Sequence, residues 1–287
     1  MSDLPLFWDR NFAEINQYSI IEILTSNERK FDLNYQYTED CLLIPGRLTF
    51  GGFLPEDRKA VSQNEARELV NVLIAGMSAG VKLQWKLPPQ YFLPEIFISQ
   101  NDPINSSHFR EVLDFNQHIF VSEWQSSDMS KGNQKKVRQA VSAGMNLREA
   151  TVEDISKCYE VLSLNRKAIG ARVTMKLTEI RDAVVNFPSI YKVKYLELGG
   201  DVAAMCLTVE IETKVRYVLY WADNLSFRNY SPLALLCQKL VEEARNDGLN
   251  FLDLGISSNN GLLNEGLYRF KKNLGAVTST KKTIISI

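Results

Sequence analysis

Residues 231–255 read SPLALLCQKLVEEARNDGLNFLDLG, and two structural signals follow one another in them. Apolar residues first recur at helical spacing, and Gly248 is a residue type that commonly ends helices. The next residues, FLDLG, form a short apolar run that carries one carboxylate, Asp253. We therefore predict a helix over 232–247 that leads into a buried strand over 250–255, with a charged group near the strand end.

The second half of the chain continues this alternation of helices and strands. The runs 202–209 and 215–222 are nearly continuous in apolar residues, as expected for strands that are covered on both faces. The predicted order is strand 146–150, helices 152–168 and 176–186, strands 191–198, 202–211 and 214–222, helix 232–247, strand 250–255, helix 264–273 and strand 277–286. This order predicts an α/β fold with a mixed sheet.

The first half contains a similar segment, NEARELVNVLIAGMSAGVKLQWKL, which also predicts a helix, a glycine and a strand. Ser62 followed three residues later by Glu65 is the signature of a capping box, so a helix is predicted over 62–79. Gly80 and Gly248 occupy equivalent places in the two segments. We interpret the likeness as a tandem duplication that gives two similar domains rather than a repeat array.

The two halves are joined by the polar segment SEWQSSDMSKGNQKKVRQAVSAGMN, which has few large apolar side chains. Its basic part, 131–143, predicts a helix that Gly144 closes. We therefore predict one domain over 1–121, a basic linker helix over 122–145 and a second domain over 146–287.

Composition limits the possible classes of protein. An apolar content of 45% and a charged content of 23% are those of a globular chain, and a net charge of −1 does not predict a nucleic-acid or membrane partner. Four well-separated cysteines and two histidines form no zinc-binding pattern, so no metal site is expected. No apolar run is long enough for a membrane helix, the first residues do not resemble a signal peptide, and we expect a cytoplasmic protein with free thiols.

The order of elements in the second half resembles that of the GNAT acyltransferase superfamily. The segments RQAVSAGMNLREATVEDISKCYEVL, LDLG and NEGLYRFKKNLGA are similar to its Fem-type branch. That resemblance implies two tandem GNAT-like domains and an N-acyltransferase, with the first domain degenerate and the active cleft in the second. It also implies a role in cell-envelope or surface-polysaccharide synthesis, with a small-molecule or lipid-linked amine as acceptor. The alternative, from another functional class, is a non-catalytic binding or scaffold protein that has kept the fold.

In the GNAT fold the fourth and fifth strands splay apart, so the resemblance places the cleft between 216–223 and 250–255. Asp253, Tyr220 and Tyr268 are then the predicted catalytic residues. Asp253 is predicted to orient the amine, and the two tyrosines are predicted to line the cleft. Capping of the following loop by Asp253, and core packing by the two tyrosines, remain open as alternatives. No residue is predicted as a covalent nucleophile, because no histidine is near a cysteine in the sequence.

The donor is predicted to lie at the end of the fourth strand, against Trp221 and Ala222, with Arg228 and Ser231 at its phosphate. Lys271 matches a lysine that lies near the donor phosphate in Fem-type proteins. A donor-binding GNAT loop is rich in glycine, whereas NLSFRNYSPLALL contains none. The donor therefore stays open between acetyl-CoA or another acyl-CoA and aminoacyl-tRNA.

The turn GRLTFGGF in the first half supplies Arg47, Gly51 and Gly52 as predicted acceptor-binding residues; a simple tight turn is the alternative. The basic helix 131–143 has two open interpretations, a solvated surface or a contact with tRNA or an anionic lipid-linked sugar. It contains no aromatic residue of the kind that RNA recognition uses. The sequence predicts no particular oligomeric state.

Overall fold

The computed structural model describes residues 10–46, 50–57, 59, 61–78, 80–89, 91, 109–211 and 214–287. The chain divides into two compact units. The first unit comprises Met1–Asn116, Ser258–Leu263 and Ser279–Ile287. The second unit comprises Gln117–Ser257 and Asn264–Thr278.

These units differ from the predicted division at 121 and 146. Residues 117–145 belong to the second unit, where Trp124, Met129 and Val137 are buried in its core. The segment looks polar in sequence because its apolar residues are few, but those few are enclosed. It is therefore part of a domain and not a linker between two. The segments 258–263 and 279–287, which we predicted in the second domain, belong to the first unit.

The first unit contains a mixed sheet. Its elements are α1 Arg10–Ile15, β1 Ser19–Leu24, β2 Lys30–Tyr37, β3 Cys41–Ile44, β4 Phe53–Pro55, α2 Gln63–Gly76, β5 Lys82–Pro89, the first part of β6 Phe109–Phe120, the short strands β12 Ser258–Asn259 and β13 Leu262–Leu263, and most of β14 Val277–Ser286. The strand order is β1-β2-β3-β5-β14, and β4 also pairs with β2. β3 and β5 are parallel, and α2 connects them.

The predicted capping box begins α2. The Ser62 hydroxyl accepts a hydrogen bond from the Glu65 N–H, and the Glu65 carboxylate accepts one from the Ser62 N–H. Two N–H groups that the first turn leaves without helical partners are thereby satisfied.

The second unit has its own strands and helices. They are the last residues of β6, α3 Lys131–Ser142, β7 Asn146–Glu149, α4 Asp154–Ala168, α5 Leu177–Asn186, β8 Tyr191–Leu198, β9 Asp201–Ile211, β10 Val215–Asp223, the 3₁₀-helix Leu225–Tyr230, α6 Pro232–Asn246, β11 Phe251–Ile256 and α7 Glu265–Lys272. The strand order is β6-β11-β10-β9-β8-β7, with β10 and β11 parallel and connected by α6. The mixed α/β class predicted from the sequence is confirmed.

Burial follows the sequence pattern closely in this unit. From Val202 to Val209, β9 is buried at every position, so both of its faces are covered. The helix α6 buries an apolar face that includes Leu236, Leu240 and Ala244 in the same core. Each unit thus contains a parallel strand–helix–strand segment; descent of the two from one duplicated segment stays a prediction.

A buried ion cluster also stabilises the second unit. Arg216 on β10 is 1% exposed, and its guanidinium lies 2.6 Å from the Glu210 carboxylate and 2.7 Å from the Asp247 carboxylate. Glu243 lies 3.7 Å from the same guanidinium and 2.7 Å from the Lys194 ammonium. A charge so enclosed is tolerated because several opposite charges surround it.

Candidate functional site

The parallel strands β10 and β11 pair only at their beginnings. The register joins Val215 to Phe251, Arg216 to Leu252, and Tyr217 to Asp253. Beyond this point β10 continues to Asp223 in register with β9, with a bulge between Val218 and Tyr220. The carboxyl-terminal parts of β10 and β11 are therefore not paired with each other, which is the divergence that the sequence analysis expected. Such strand ends are common positions for ligands.

Asp253, at the last paired position of β11, and Lys271 on α7 are both predicted site residues, and they are near enough for the Asp253 charge to act on the Lys271 ammonium. Each is only 2% exposed. The Gly255 N–H donates to the Asp253 carboxylate at 2.7 Å, and the Lys271 ammonium donates to the carbonyls of Gly255 and Ile256 at 2.9 and 2.8 Å. Burial lowers the pKa of Lys271 to about 7, and the negative charge of Asp253 opposes that shift. Lys271 can therefore gain or lose a proton near neutral pH.

Two further residues of this cluster were not predicted from the sequence. Tyr217 is opposite Asp253 in the strand register, and burial together with the Asp253 charge raises the pKa of its hydroxyl. His118 on β6 is 2% exposed, and burial lowers its pKa to about 4 although the Asp253 charge opposes this. His118 is therefore neutral at pH 7. The sequence offered only a weak signal for His118, which is one of two histidines in the chain. Its place near Asp253 follows from the pairing of β6 with β11 in the sheet.

Gly255 has a conformation and a position that the cluster requires. Its φ is +75°, which a residue with a side chain rarely adopts. A Cβ at this position would lie 3.4 Å from the Tyr217 hydroxyl oxygen. The LDLG motif therefore ends in glycine because the backbone turns there beside a tyrosine.

Tyr220, a predicted cleft residue, connects β10 to the segment between α4 and α5. Its hydroxyl shares a hydrogen bond with the Thr174 hydroxyl and accepts one from the Met175 N–H at 3.2 Å. Beside it, the Arg166 guanidinium donates to the carbonyl of Trp221 at 3.3 Å. Arg166 was not among the predicted residues, because its place near the strand end depends on how α4 packs.

The end of β10 holds the predicted donor residues. Trp221 and Ala222 are 8% and 1% exposed, and the Trp221 ring packs edge-on against Phe270 at 5.6 Å between centroids. Arg228 is half exposed, and its guanidinium lies 3.1 Å from the Asp223 carboxylate. Asp223 also accepts a hydrogen bond of 2.6 Å from the Asn165 amide.

The turn between β10 and α6 is a 3₁₀-helix, and it uses its own N–H groups. The Ser226 N–H donates to the Asn224 side chain at 3.1 Å, and the Phe227 N–H donates to the Asn224 carbonyl at 2.9 Å. The Ser231 N–H donates to the Arg228 carbonyl at 3.0 Å. Ser231 itself has φ +47° and precedes Pro232 at the start of α6. This turn does not have the form of an open cradle of N–H donors.

Tyr268, the third residue predicted as catalytic, has different partners from those of Tyr220. Its hydroxyl accepts a hydrogen bond of 3.0 Å from Thr278 at the start of β14. Its main-chain carbonyl accepts one of 3.1 Å from the Gln117 amide. Tyr268 therefore joins α7 to neighbouring strands of the second unit.

The predicted acceptor-binding residues lie in the first unit. Arg47 is outside the described residues. Gly51 and Gly52 are buried, and the Gly51 carbonyl accepts a hydrogen bond of 2.7 Å from the Trp85 indole. A Cβ on Gly51 would lie 2.4 Å from the Asn34 side-chain oxygen, and one on Gly52 would lie 2.9 Å from the Trp85 ring. Close packing thus accounts for both glycines, and acceptor binding by them stays a prediction.

The cysteines are unsuited to nucleophilic catalysis. Burial raises the pKa of Cys158, Cys206 and Cys237 to about 12 and also raises that of Cys41. None of these thiols forms an appreciable amount of thiolate at neutral pH. Within the described ranges, no group of three or more histidine, cysteine or acidic side chains is arranged to hold a metal ion. No described helix combines the length and apolar character needed to cross a bilayer.

No family model matches the sequence, and no curated protein matches it. Solved structures do match. FemX aligns with a TM-score of 0.65 at 12% identity, over 97% of this chain and 91% of its own. The C-terminal domain of a candidate lysylphosphatidylglycerol synthetase from Agrobacterium fabrum aligns at 0.59 and 10% identity, over 93% and 84%. A GCN5-related N-acetyltransferase from Sphaerobacter thermophilus aligns at 0.51 and 11% identity, over 93% and 80%. At these identities the likeness concerns the fold alone, and the protein has a GNAT-like α/β fold.

Proposed function

We propose that the chain is an N-acyltransferase that moves an acyl or aminoacyl group from an activated donor to an amine, in cell-envelope or surface-polysaccharide synthesis. The observation that carries the proposal is the divergence of β10 and β11 beside the buried Asp253 and Lys271. Fold likeness to FemX and to a GCN5-related N-acetyltransferase supports it. Fold alone does not determine function, so the residues of the site carry the argument.

The chemistry requires a held donor, a stabilised carbonyl oxygen and removal of a proton from the attacking amine. The amine nitrogen bonds to the acyl carbon, and the bond from that carbon to the donor's oxygen or sulfur breaks. Lys271 has a pKa of about 7, so a substantial fraction is neutral at pH 7. A neutral lysine that donates to two carbonyls retains a lone pair, and it can accept the proton that the amine loses. Asp253 then stabilises the resulting ammonium.

The turn after β10 favours an aminoacyl ester over acyl-CoA as the donor. A pyrophosphate cradle needs backbone N–H groups that point to the ligand. Here the N–H groups of Ser226, Phe227 and Ser231 donate within the turn itself. Arg228 and the start of α6 at Ser231 remain the groups of this turn that we assign to the donor's phosphate, with Trp221 and Ala222 against the acyl portion.

Donor consumption tests this function. The purified protein is incubated with aminoacyl-tRNA or with acetyl-CoA, together with a panel of small and lipid-linked amines. The release of uncharged tRNA or of free CoA is then measured. We expect release that depends on the amine, that falls strongly in Lys271→Met and Asp253→Asn, and that persists in Lys272→Met. Lys272 is a suitable control because it is the exposed neighbour of Lys271 on the same helix.

Thermal unfolding with each donor distinguishes the alternative, a non-catalytic protein. A donor at a hundred times its dissociation constant stabilises the folded state by about 2.7 kcal/mol. The turn after β10 has no cradle of N–H groups for a pyrophosphate, which counts against acyl-CoA as a donor. This observation also favours the non-catalytic alternative, because it leaves one donor class fewer for an acyltransferase. If neither donor raises the midpoint and neither is consumed, the acyltransferase proposal is wrong and the binding protein is favoured.

A further inference from the structure

The helix α3 carries an unusual concentration of positive charge. Its sequence, KGNQKKVRQAVS, contains four basic residues and no acidic one. Val137 and Ala140 are buried in the core of the second unit, whereas Lys135 and Arg138 are exposed. Among the ion pairs found in the described part of the chain, none includes a cation of α3. A solvated helix normally intersperses both signs of charge, so this one has a composition that favours an anionic partner.

A groove lies between α3 and the 3₁₀-helix Leu225–Tyr230. We call it the basic groove and define it by Lys135, Lys136, Arg138, Gln139, Asn229 and Tyr230. Its volume is about 590 Å³, and it is an open trough at the surface of the second unit. The Lys136 ammonium donates to the Asn229 carbonyl, which fixes the two walls together. Among the described residues that line the groove, none is acidic.

The lining has the chemistry of a site for single-stranded nucleic acid. Lys135 and Arg138 lie about one helical turn apart on α3, and Lys136 is next to Lys135, so the groove offers three cations to neighbouring phosphates. Tyr230 is half-buried in the opposite wall, where it packs partly against the core of the second unit, and the accessible part of its ring can stack on a base. The side-chain amides of Gln139 and Asn229 offer both donors and acceptors to base edges or ribose hydroxyls. The sequence of α3 lacks an aromatic residue, and packing supplies one from a segment more than ninety positions away.

We propose that the basic groove binds a single-stranded segment of RNA, with its phosphates on Lys135, Lys136 and Arg138 and a base on Tyr230. The inference rests on the proposed function, in which it gives the nucleic-acid part of an aminoacyl donor a site on the protein. Asn229 and Tyr230 directly follow Arg228, so the groove continues the same turn that we assign to the donor. An open trough suits a chain that passes through it better than it suits the enclosed nucleotide of an acyl-CoA.

The test is binding of a fluorescent single-stranded RNA of about twelve nucleotides, a length within the span of known single-strand sites, followed by polarisation. The double variant Lys135→Ala/Arg138→Ala should weaken binding by about tenfold or more, because it leaves two phosphates without their cations. It should also reduce the slope of log affinity against log salt by about 0.7 for each phosphate that is no longer neutralised. The control Lys157→Ala/Lys167→Ala removes two exposed cations of α4 and should bind as the wild type does.

Tyr230 gives a second readout that charge alone would not change. Tyr230→Leu should weaken RNA binding by about fivefold or more, whereas Tyr230→Phe, which retains the ring, should bind normally. Unchanged midpoints of thermal unfolding show that these surface variants remain folded. Equal reductions of affinity in the groove and control double variants, or no reduction in either, would overturn the proposal. The proposal would also be overturned if the groove variants bound CoA or anionic vesicles more weakly than the wild type does while their affinity for RNA was unchanged.

This experiment uses neither an acyl donor nor an acceptor, so it can fail independently of the proposed activity. RNA binding that the groove variants leave unchanged, in a protein that still transfers an acyl group, would leave the acyltransferase intact and refute the RNA site. RNA binding without transfer would support the groove and count against the activity.

Discussion

Replacing Lys271 with methionine should remove a pH-dependent part of the protein's stability. Burial places the pKa of Lys271 at about 7 in the folded chain, against 10.5 for an ordinary lysine. Between these two values the unfolded chain binds a proton that the folded chain does not hold. The free energy of unfolding must therefore rise with pH through this window.

The magnitude follows from the two pKa values. Between pH 7 and pH 9 the contribution of Lys271 should increase the unfolding free energy by about 2 kcal/mol, and it should level off above the unfolded value. Lys271→Met also removes two hydrogen bonds to the carbonyls of Gly255 and Ile256, but that effect does not change with pH. The difference between wild type and variant isolates the titration of this lysine from the other groups.

Urea denaturation at pH 7, 8 and 9 measures this difference. We expect the wild type to gain stability relative to Lys271→Met as pH rises, whereas Lys272→Met, altered at the exposed neighbour, should follow the wild type at every pH. Parallel curves for the wild type and Lys271→Met would show that Lys271 titrates normally. They would also remove the argument that it accepts a proton at neutral pH.

Three further predictions concern packing and hydrogen bonding. Arg216→Met should lower the unfolding free energy by about 3 kcal/mol in urea denaturation, because it leaves the largely buried Glu210 carboxylate without its cation; a change near zero would show that this carboxylate is adequately solvated. Gly51→Ala should cost about 1–3 kcal/mol through overpacking, while Gly76→Ala, whose Cβ meets no neighbour, should be neutral or stabilising; equal thermal midpoints would contradict the close packing. Tyr220→Phe should speed amide hydrogen exchange at Met175, whose N–H donates to the hydroxyl that this variant removes, and unchanged protection would contradict that bond.

Much of the second unit could be predicted from the sequence. Helix α6 and strand β11 were predicted over 232–247 and 250–255 and are found over Pro232–Asn246 and Phe251–Ile256. Such segments are predictable because their apolar periodicity and their terminating glycines are local signals.

The division into units was not predictable in the same way. Composition placed a linker over 122–145, but the Trp124 indole donates to the carbonyl of Leu274, 150 positions away. Segments that complete a core from such distances show no boundary in a local window of sequence.

The site was predictable only where a residue belonged to a recognisable motif. Asp253 and Lys271 were found through LDLG and the basic helix that follows it, and the structure brings them together. His118 and Tyr217 were missed because the pairing of neighbouring strands decides which residues lie beside Asp253. That pairing cannot be deduced from the spacing of residues within one strand.

The path of β14 has a consequence for how the protein is made. Its residues Thr283, Ile284 and Ile285 pair with β5, and the Ser286 hydroxyl accepts a hydrogen bond from the Leu83 N–H across 203 positions. The sheet of the first unit therefore stays open on the ribosome until the chain has been synthesised through Ser286, although nearly all of its other strands emerge long before. During that interval the backbone edge of β5 that pairs with β14 lacks its partner, while the second unit has most of its own strands available for pairing. We expect the second unit to fold first and the first unit to be completed by a strand that arrives last, which makes nascent chains halted before 279 prone to aggregation.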